Sequence, residues 1–75
     1  MWRFDLIPDE VLPEVYGAIQ TQNWLLTANY FKKYRVTTSV TNCGSCIDWG
    51  EFVLWCEYAI ENNFITKDPT NRKNQ

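Results

Sequence analysis

The clearest pattern of hydrophobic and polar positions lies at residues 48–64, where apolar side chains recur at helical spacing. At about 100° per residue, one arc of this segment collects apolar side chains. They are Trp49, Phe52, Val53, Cys56, Ala59, Ile60 and Phe64. Asp48 is a good N-cap residue, and Glu51 three positions later completes a capping-box pattern. The segment therefore predicts an amphipathic helix that begins after Asp48.

The opposite arc of this predicted helix is unusual because it mixes large apolar side chains with carboxylates. The apolar ones are Leu54, Trp55 and Tyr58, and the carboxylates are Asp48, Glu51, Glu57 and Glu61. Aromatic anchors ringed by polar groups are typical of protein–protein contacts. We interpret Leu54, Trp55 and Tyr58 as a partner-binding anchor, with Glu51 and Glu61 as its charged rim. The alternative is that the three apolar side chains pack under residues 2–7 or 35–41 of the same domain.

Two weaker helical stripes precede this segment. The first comprises Val11, Leu12, Val15, Tyr16, Ala18 and Ile19, and the second comprises Trp24, Ala28, Phe31 and Tyr34. A first helix that begins at Leu12 gives Pro13 a favoured place, whereas a start at Asp9 costs a hydrogen bond. A single helix through both stripes would rotate its apolar face by roughly 140°, so we predict a break at residues 20–23. One long helix that contacts partners on two sides is the alternative.

Two segments alternate with a period of two residues, which favours extended structure. Residues 2–7 place Trp2, Phe4 and Leu6 opposite Arg3 and Asp5, and residues 35–41 are rich in β-branched side chains. The expected fold is mainly α, a small three-helix domain over residues 1–66, with an optional two-stranded β element formed by 2–7 and 35–41. Residues 67–75 are polar and lack periodicity, and we expect a mobile tail there.

Composition adds to the case for an interaction surface. The chain has 75 residues, which is enough for one domain, and it contains 4 Trp, 4 Tyr and 4 Phe. A core of this size does not enclose every one of these rings, so some are half-exposed or lie in an interface. The net charge is −2, with no His. This charge argues against nucleic acid as the main partner, because phosphate affinity comes mostly from Lys and Arg.

A basic group at the end of the second helix leaves one nucleic-acid alternative open. Lys32, Lys33 and Arg35 suit a helix C-terminus electrostatically, and they could also contact phosphate in a helix-turn-helix-like protein. The third helix would then enter the groove with its acidic residues, which carry the wrong charge.

Three cysteines raise the question of a metal or redox site. Cys43 and Cys46 form a Cys-x-x-Cys pair before the third helix, and Cys56 lies within it. A zinc module using these three is the alternative to our main interpretation, in which Cys43 and Cys46 flank a turn and no cofactor is bound. Redox exchange and a papain-like nucleophile are less well supported, because the first lacks a βαβ context and the second lacks a His. An odd cysteine count fits a reducing compartment.

These observations favour a small interaction or assembly protein without enzymatic activity. The chain lacks His and a glycine-rich phosphate loop, so general-base and phosphate chemistry have little support. It also lacks a signal-peptide pattern and an 18-residue apolar run. We expect an intracellular location or a place within a large particle, with no membrane insertion and no small-molecule ligand. The expected partner is a larger protein or a multi-subunit assembly, and a virion is one example.

Overall fold

Three α-helices form the framework of the computed structural model, which describes residues 2–37 and 48–73. Helix α1 spans Leu12–Gln20, α2 spans Trp24–Lys33 and α3 spans Trp49–Glu61. Short 3₁₀ helices lie at Phe4–Leu6 and Pro69–Asn71. The three-helix prediction is confirmed, and no strand occurs within the described ranges.

The helices begin where the sequence places them. Helix α1 starts at Leu12 with Pro13 in its first turn, which leaves no interior hydrogen bond broken. The Asn23 side chain caps α2 by accepting from the Leu26 amide at 3.3 Å, and this confirms the break between α1 and α2. The Asp48 side chain caps α3 by accepting from the Glu51 amide at 3.1 Å.

All three helices end in the same way, with a residue other than glycine in the left-handed conformation. Gln22, Arg35 and Asn63 have φ of 58°, 56° and 62°. Each is followed by an amide that reaches back to the last turn: Asn23 to Ala18 O at 2.8 Å, Val36 to Phe31 O at 2.9 Å and Phe64 to Ala59 O at 2.8 Å. This is the hydrogen-bond pattern of the Schellman motif, which reverses the chain after each helix.

The predicted β element is not seen, and the segment 2–7 is the clearest correction. Residues Phe4–Leu6 form a 3₁₀ helix instead of a strand. A 3₁₀ helix has about three residues per turn, so Phe4 and Ile7 face the same side, and both are fully buried while Leu6 is exposed. The segments still touch, since the Arg3 amide donates to Val36 O at 2.6 Å. Residues 38–41 of the proposed partner strand lie outside the described ranges.

The core is dominated by aromatic rings supplied by the N-terminal segment, α2 and α3. Trp2 contacts Phe31 edge-on at 5.8 Å between ring centroids, and it packs against Phe52 at 5.6 Å. Phe4 stacks on Phe64 at 6.1 Å. The N-terminal segment thus fills the space between α2 and the end of α3, and its aromatic residues hold the two helices together.

The C-terminal segment lies against the N-terminal one. The Arg72 side chain is only 6% exposed, and its guanidinium pairs with the Asp9 carboxylate at 2.7 Å. It also donates to the Ile7 carbonyl at 2.5 Å and to the Phe4 carbonyl. The Lys73 amide donates to Asn63 O at 2.7 Å. These contacts place residues 72–73 on the domain, whereas the mobility expected for 67–75 stays a prediction.

Candidate functional site

The outer side of α3 carries exposed apolar side chains, as the sequence pattern predicts. Leu54 is 66% exposed and Tyr58 is 41% exposed. The inner side is fixed by the buried residues Phe52, Cys56 and Ala59. The orientation of α3 is therefore set by its core face, and Leu54 and Tyr58 are left facing outward.

Trp55 differs from its two neighbours because its ring contributes to the fold. It is half-buried and stacks on Trp2 at 5.3 Å between centroids, with 12° between the ring planes. Its indole N–H donates to Glu51 Oε1 at 3.4 Å, a long hydrogen bond. One of the three predicted anchor residues thus packs against residues 2–7, and its remaining surface faces outward beside Tyr58, 5.5 Å away.

Four side chains of α3 line a shallow depression of about 360 Å³, which we call the outer depression. They are Glu51, Leu54, Trp55 and Tyr58. The structure therefore brings together four of the five predicted partner-binding residues. Glu61 is not among them, because ten residues of α-helix separate it from Glu51 by about 15 Å along the axis. It lines a separate depression of about 330 Å³ together with Gln20 and Gln22.

A second and larger concavity lies where α2 begins beside α3, and we call it the α2–α3 groove. Its volume is about 590 Å³, and its lining residues are Trp24, Leu25, Trp49, Gly50, Val53, Leu54 and Glu57. Leu25 is 71% exposed, the highest value among the large hydrophobic residues that the structure describes. Leu54 borders both the groove and the outer depression, so the two form one apolar surface across it.

Sequence reasoning did not include Leu25 in the site. The stripe that predicts α2 is formed by Trp24, Ala28 and Phe31, and Leu25 lies outside it. An exposed leucine beside a helix stripe is common and by itself indicates nothing. The clue is the position of Leu25 in the first turn of α2, directly after Trp24. The Trp24 side chain turns inward toward Phe52, with 6.2 Å between ring centroids.

The charged side chains of α3 have one sign. Asp48, Glu51, Glu57 and Glu61 are all exposed, and residues 48–66 contain no Lys or Arg. The exposed basic side chains of α2, Lys32 and Lys33, belong to its last turn. Helix α2 is about 15 Å long, so these lysines lie near the far end from Leu25. The surface presented by α3 is therefore apolar at its centre and negative around it.

Cys56 behaves as a core residue. It is fully buried, and burial, aided by the nearby Glu57 charge, raises the pKa of its thiol to about 12. A protonated thiol packs as a small hydrophobic group and is a poor metal ligand. Cys43 and Cys46 lie outside the described residues. Among the residues the structure does describe, no three His, Cys, Asp or Glu side chains are grouped so as to hold a metal ion.

Two further findings concern the chain as a class of protein. None of the helices within the described ranges is long and apolar enough to cross a membrane. Comparison with protein-family models, with curated proteins and with solved structures found no match.

Proposed function

We propose that this chain is a non-enzymatic interaction protein that docks on a larger protein or multi-subunit assembly through the outer side of α3. The observation that carries the proposal is Leu54, which is 66% exposed at the centre of a surface that also includes Tyr58 and the outer part of Trp55. Single exposed leucines are ordinary, but a contiguous group with aromatic rings is typical of interaction sites.

The position of this surface on a capped helix favours binding. The Asp48 cap and the buried side chains of Phe52, Cys56 and Ala59 hold α3 in place, so a partner orders few additional groups on association. Burying a leucine side chain completely is worth about 1.5–3 kcal/mol. Leu54 and Tyr58 therefore serve as central anchors within a larger contact, and Glu51 supplies a polar rim.

The competing interpretations have less support. A helix-turn-helix-like protein would present α3 to nucleic acid, yet residues 48–66 carry four carboxylates and no Lys or Arg. A zinc module would use Cys56, which lies in the core. A component of a virion or of another large particle is one instance of the assembly role proposed here.

Site-specific photo-crosslinking tests the proposal in the cells that produce this protein or in the particles that contain it. A photoreactive amino acid with an apolar side chain, which keeps the apolar character of the Leu54 position, replaces Leu54 in one variant and Lys32 in another. Both positions are exposed, but Lys32 lies in the last turn of α2, away from the proposed surface. We expect a discrete adduct with one protein from position 54 and none from position 32.

Two substitutions then link the adduct to the side chains. Tyr58→Ser should abolish the adduct formed from position 54, while the helix content measured by circular dichroism stays the same. Equal adducts from positions 54 and 32, or an adduct that persists in Tyr58→Ser, would remove the reason to assign docking to α3.

A further inference from the structure

We propose that the α2–α3 groove binds an amphipathic segment of the partner in which one large apolar side chain is flanked by Lys or Arg. The inference rests on the proposed docking function and adds both a second part of the contact surface and the chemistry of the partner.

The groove is an open, shallow concavity with an apolar lining. Trp24 and Trp49 supply aromatic walls that are held from behind, because each packs edge-on against the buried ring of Phe52, at 6.2 and 5.5 Å. Leu25 and Leu54 stand at its edges. Gly50 lies in its lining, where the backbone of α3 carries no side chain. An apolar side chain laid in the groove would therefore contact apolar surface from both helices.

The charge around the groove selects the flanks of the occupant. Glu57 lines the groove itself, and the three other carboxylates of residues 48–66, Asp48, Glu51 and Glu61, are also exposed. No basic side chain lies in residues 48–66 to balance them. Complementary charge steers association and suppresses wrong partners, so Lys or Arg beside the apolar residue is favoured and Asp or Glu is disfavoured.

The same charges argue against a second copy of the chain at this face. A two-fold pairing brings the same patch of both copies together. Because every charged residue of α3 is acidic, such a pairing would bring carboxylates of both copies together around an apolar contact, and like charges at an interface are unfavourable. A different protein with a basic segment avoids this repulsion.

Three synthetic peptides of equal length provide the test. The first is a helix-forming peptide with a leucine stripe flanked by lysines, the second has glutamate at every lysine position, and the third has serine in place of leucine. Binding is followed by NMR through the indole N–H signals, because Trp24 and Trp49 line the groove while Trp55 lines the outer depression. We expect the lysine–leucine peptide to shift Trp24 and Trp49, and to bind at least about tenfold more tightly than either control peptide.

Matched variants locate the contact. Leu25→Ser should weaken binding of the lysine–leucine peptide about tenfold, whereas Leu26→Ser, an exposed neighbour that does not line the groove, should change it less than about twofold. Glu57→Lys should weaken binding and reduce its salt dependence. Equal binding of the glutamate peptide, or equal effects of Leu25→Ser and Leu26→Ser, would overturn the inference.

Other outcomes separate this inference from the docking function. Shifts confined to Trp55 would sink the groove assignment while leaving the outer side of α3 as a docking surface. Failure of the crosslink at position 54 would instead remove the docking function. Sedimentation that shows a dimer lost in Leu25→Ser would identify the occupant as a second copy and overturn the assignment to a basic partner segment.

Discussion

Gln22, Arg35 and Asn63 follow the ends of the three helices, and because they are not glycine the sequence gives no clear signal of those ends. Each adopts the left-handed conformation after a helix, a position that glycine usually takes. Because none of the three is glycine, the break at residues 20–23 has to be predicted from rotation of the apolar stripe and from the capping residue Asn23. In the structure the break lies at these residues, where a Schellman motif ends α1. The sequence contains no glycine there that would indicate this motif.

Replacing Gln22 with glycine should stabilise the protein. A left-handed conformation costs a residue with a side chain about 1–2 kcal/mol, and glycine loses part of this gain through its more flexible unfolded chain. We expect Gln22→Gly to raise the free energy of unfolding by about 0.5–1 kcal/mol in urea titrations. Gln20→Gly, at the last residue of α1, is the matched control and should lower it, by at most about 0.5–1 kcal/mol. A loss of stability in both variants would show that Gln22 is not strained.

Trp55 and Leu54 are neighbours with different roles, and mutation should separate them. Trp55 stacks on Trp2 and is half-buried, so Trp55→Ala removes part of the core and should lower the free energy of unfolding by about 2–3 kcal/mol. Leu54→Ala at an exposed site should change it by less than about 0.5 kcal/mol. Chemical denaturation measures both values. Equal losses would mean that Leu54 is also covered by its own chain.

The sequence predicts the three α-helices correctly, but it predicts a strand where the N-terminal segment forms a 3₁₀ helix. Alternation over only six residues does not distinguish a strand from an irregular turn. The deciding factor is tertiary: Phe4 and Ile7, three residues apart, both reach the core when the chain forms a 3₁₀ turn, and the exposed Leu6 then breaks the alternation. A two-stranded ribbon has little stability of its own, so this packing prevails.

The Arg72 side chain links the C-terminal segment to the N-terminal segment, and its removal should destabilise both segments. Its guanidinium binds the Phe4 and Ile7 carbonyls and the Asp9 carboxylate from a buried position. We expect Arg72→Ala to lower the free energy of unfolding by about 2–3 kcal/mol, because hydrogen bonds from a charged group are each worth about 1.5–3 kcal/mol. Asp9→Asn keeps the carbonyl contacts and, since Asp9 is exposed, should lower it by less than about 1 kcal/mol.

Hydrogen exchange shows where the Arg72 contact acts. In Arg72→Ala, the amides of Leu6 and Ile7, which close the 3₁₀ turn, should exchange faster, while those of α2 should change less. Unchanged stability together with unchanged exchange at Leu6 and Ile7 would contradict a structural role for Arg72 and would support an independent tail.

The aromatic residues of the chain fall into two groups, those of the core and those of the surface, and composition alone does not distinguish the two. Trp2, Phe4, Phe31 and Phe52 form the core, while Tyr58 and part of Trp55 remain on the outside. The sequence predicts the outward side of α3 because helical periodicity is local. It does not predict the α2–α3 groove, because the groove depends on how two helices meet, and periodicity within one helix carries no information about that.

The buried thiol of Cys56 should make the whole fold sensitive to alkaline pH. Burial raises the pKa of this thiol from 9.0 to about 12, so between these values the unfolded chain releases a proton that the folded protein retains. Stability is then fully present below pH 9 and falls as pH rises, with a slope approaching about 1.4 kcal/mol per pH unit. Urea unfolding across this range measures the slope, and Cys56→Ala should remove most of it while costing about 1–2 kcal/mol at neutral pH through the lost side chain.

The Tyr30 hydroxyl adds to the same trend, because its hydrogen bond to Glu14 raises its pKa above 10.0, so Tyr30→Phe is the control for this smaller contribution. A slope that survives in Cys56→Ala but disappears in Tyr30→Phe would show that the thiol is accessible to water, contrary to its place in the core.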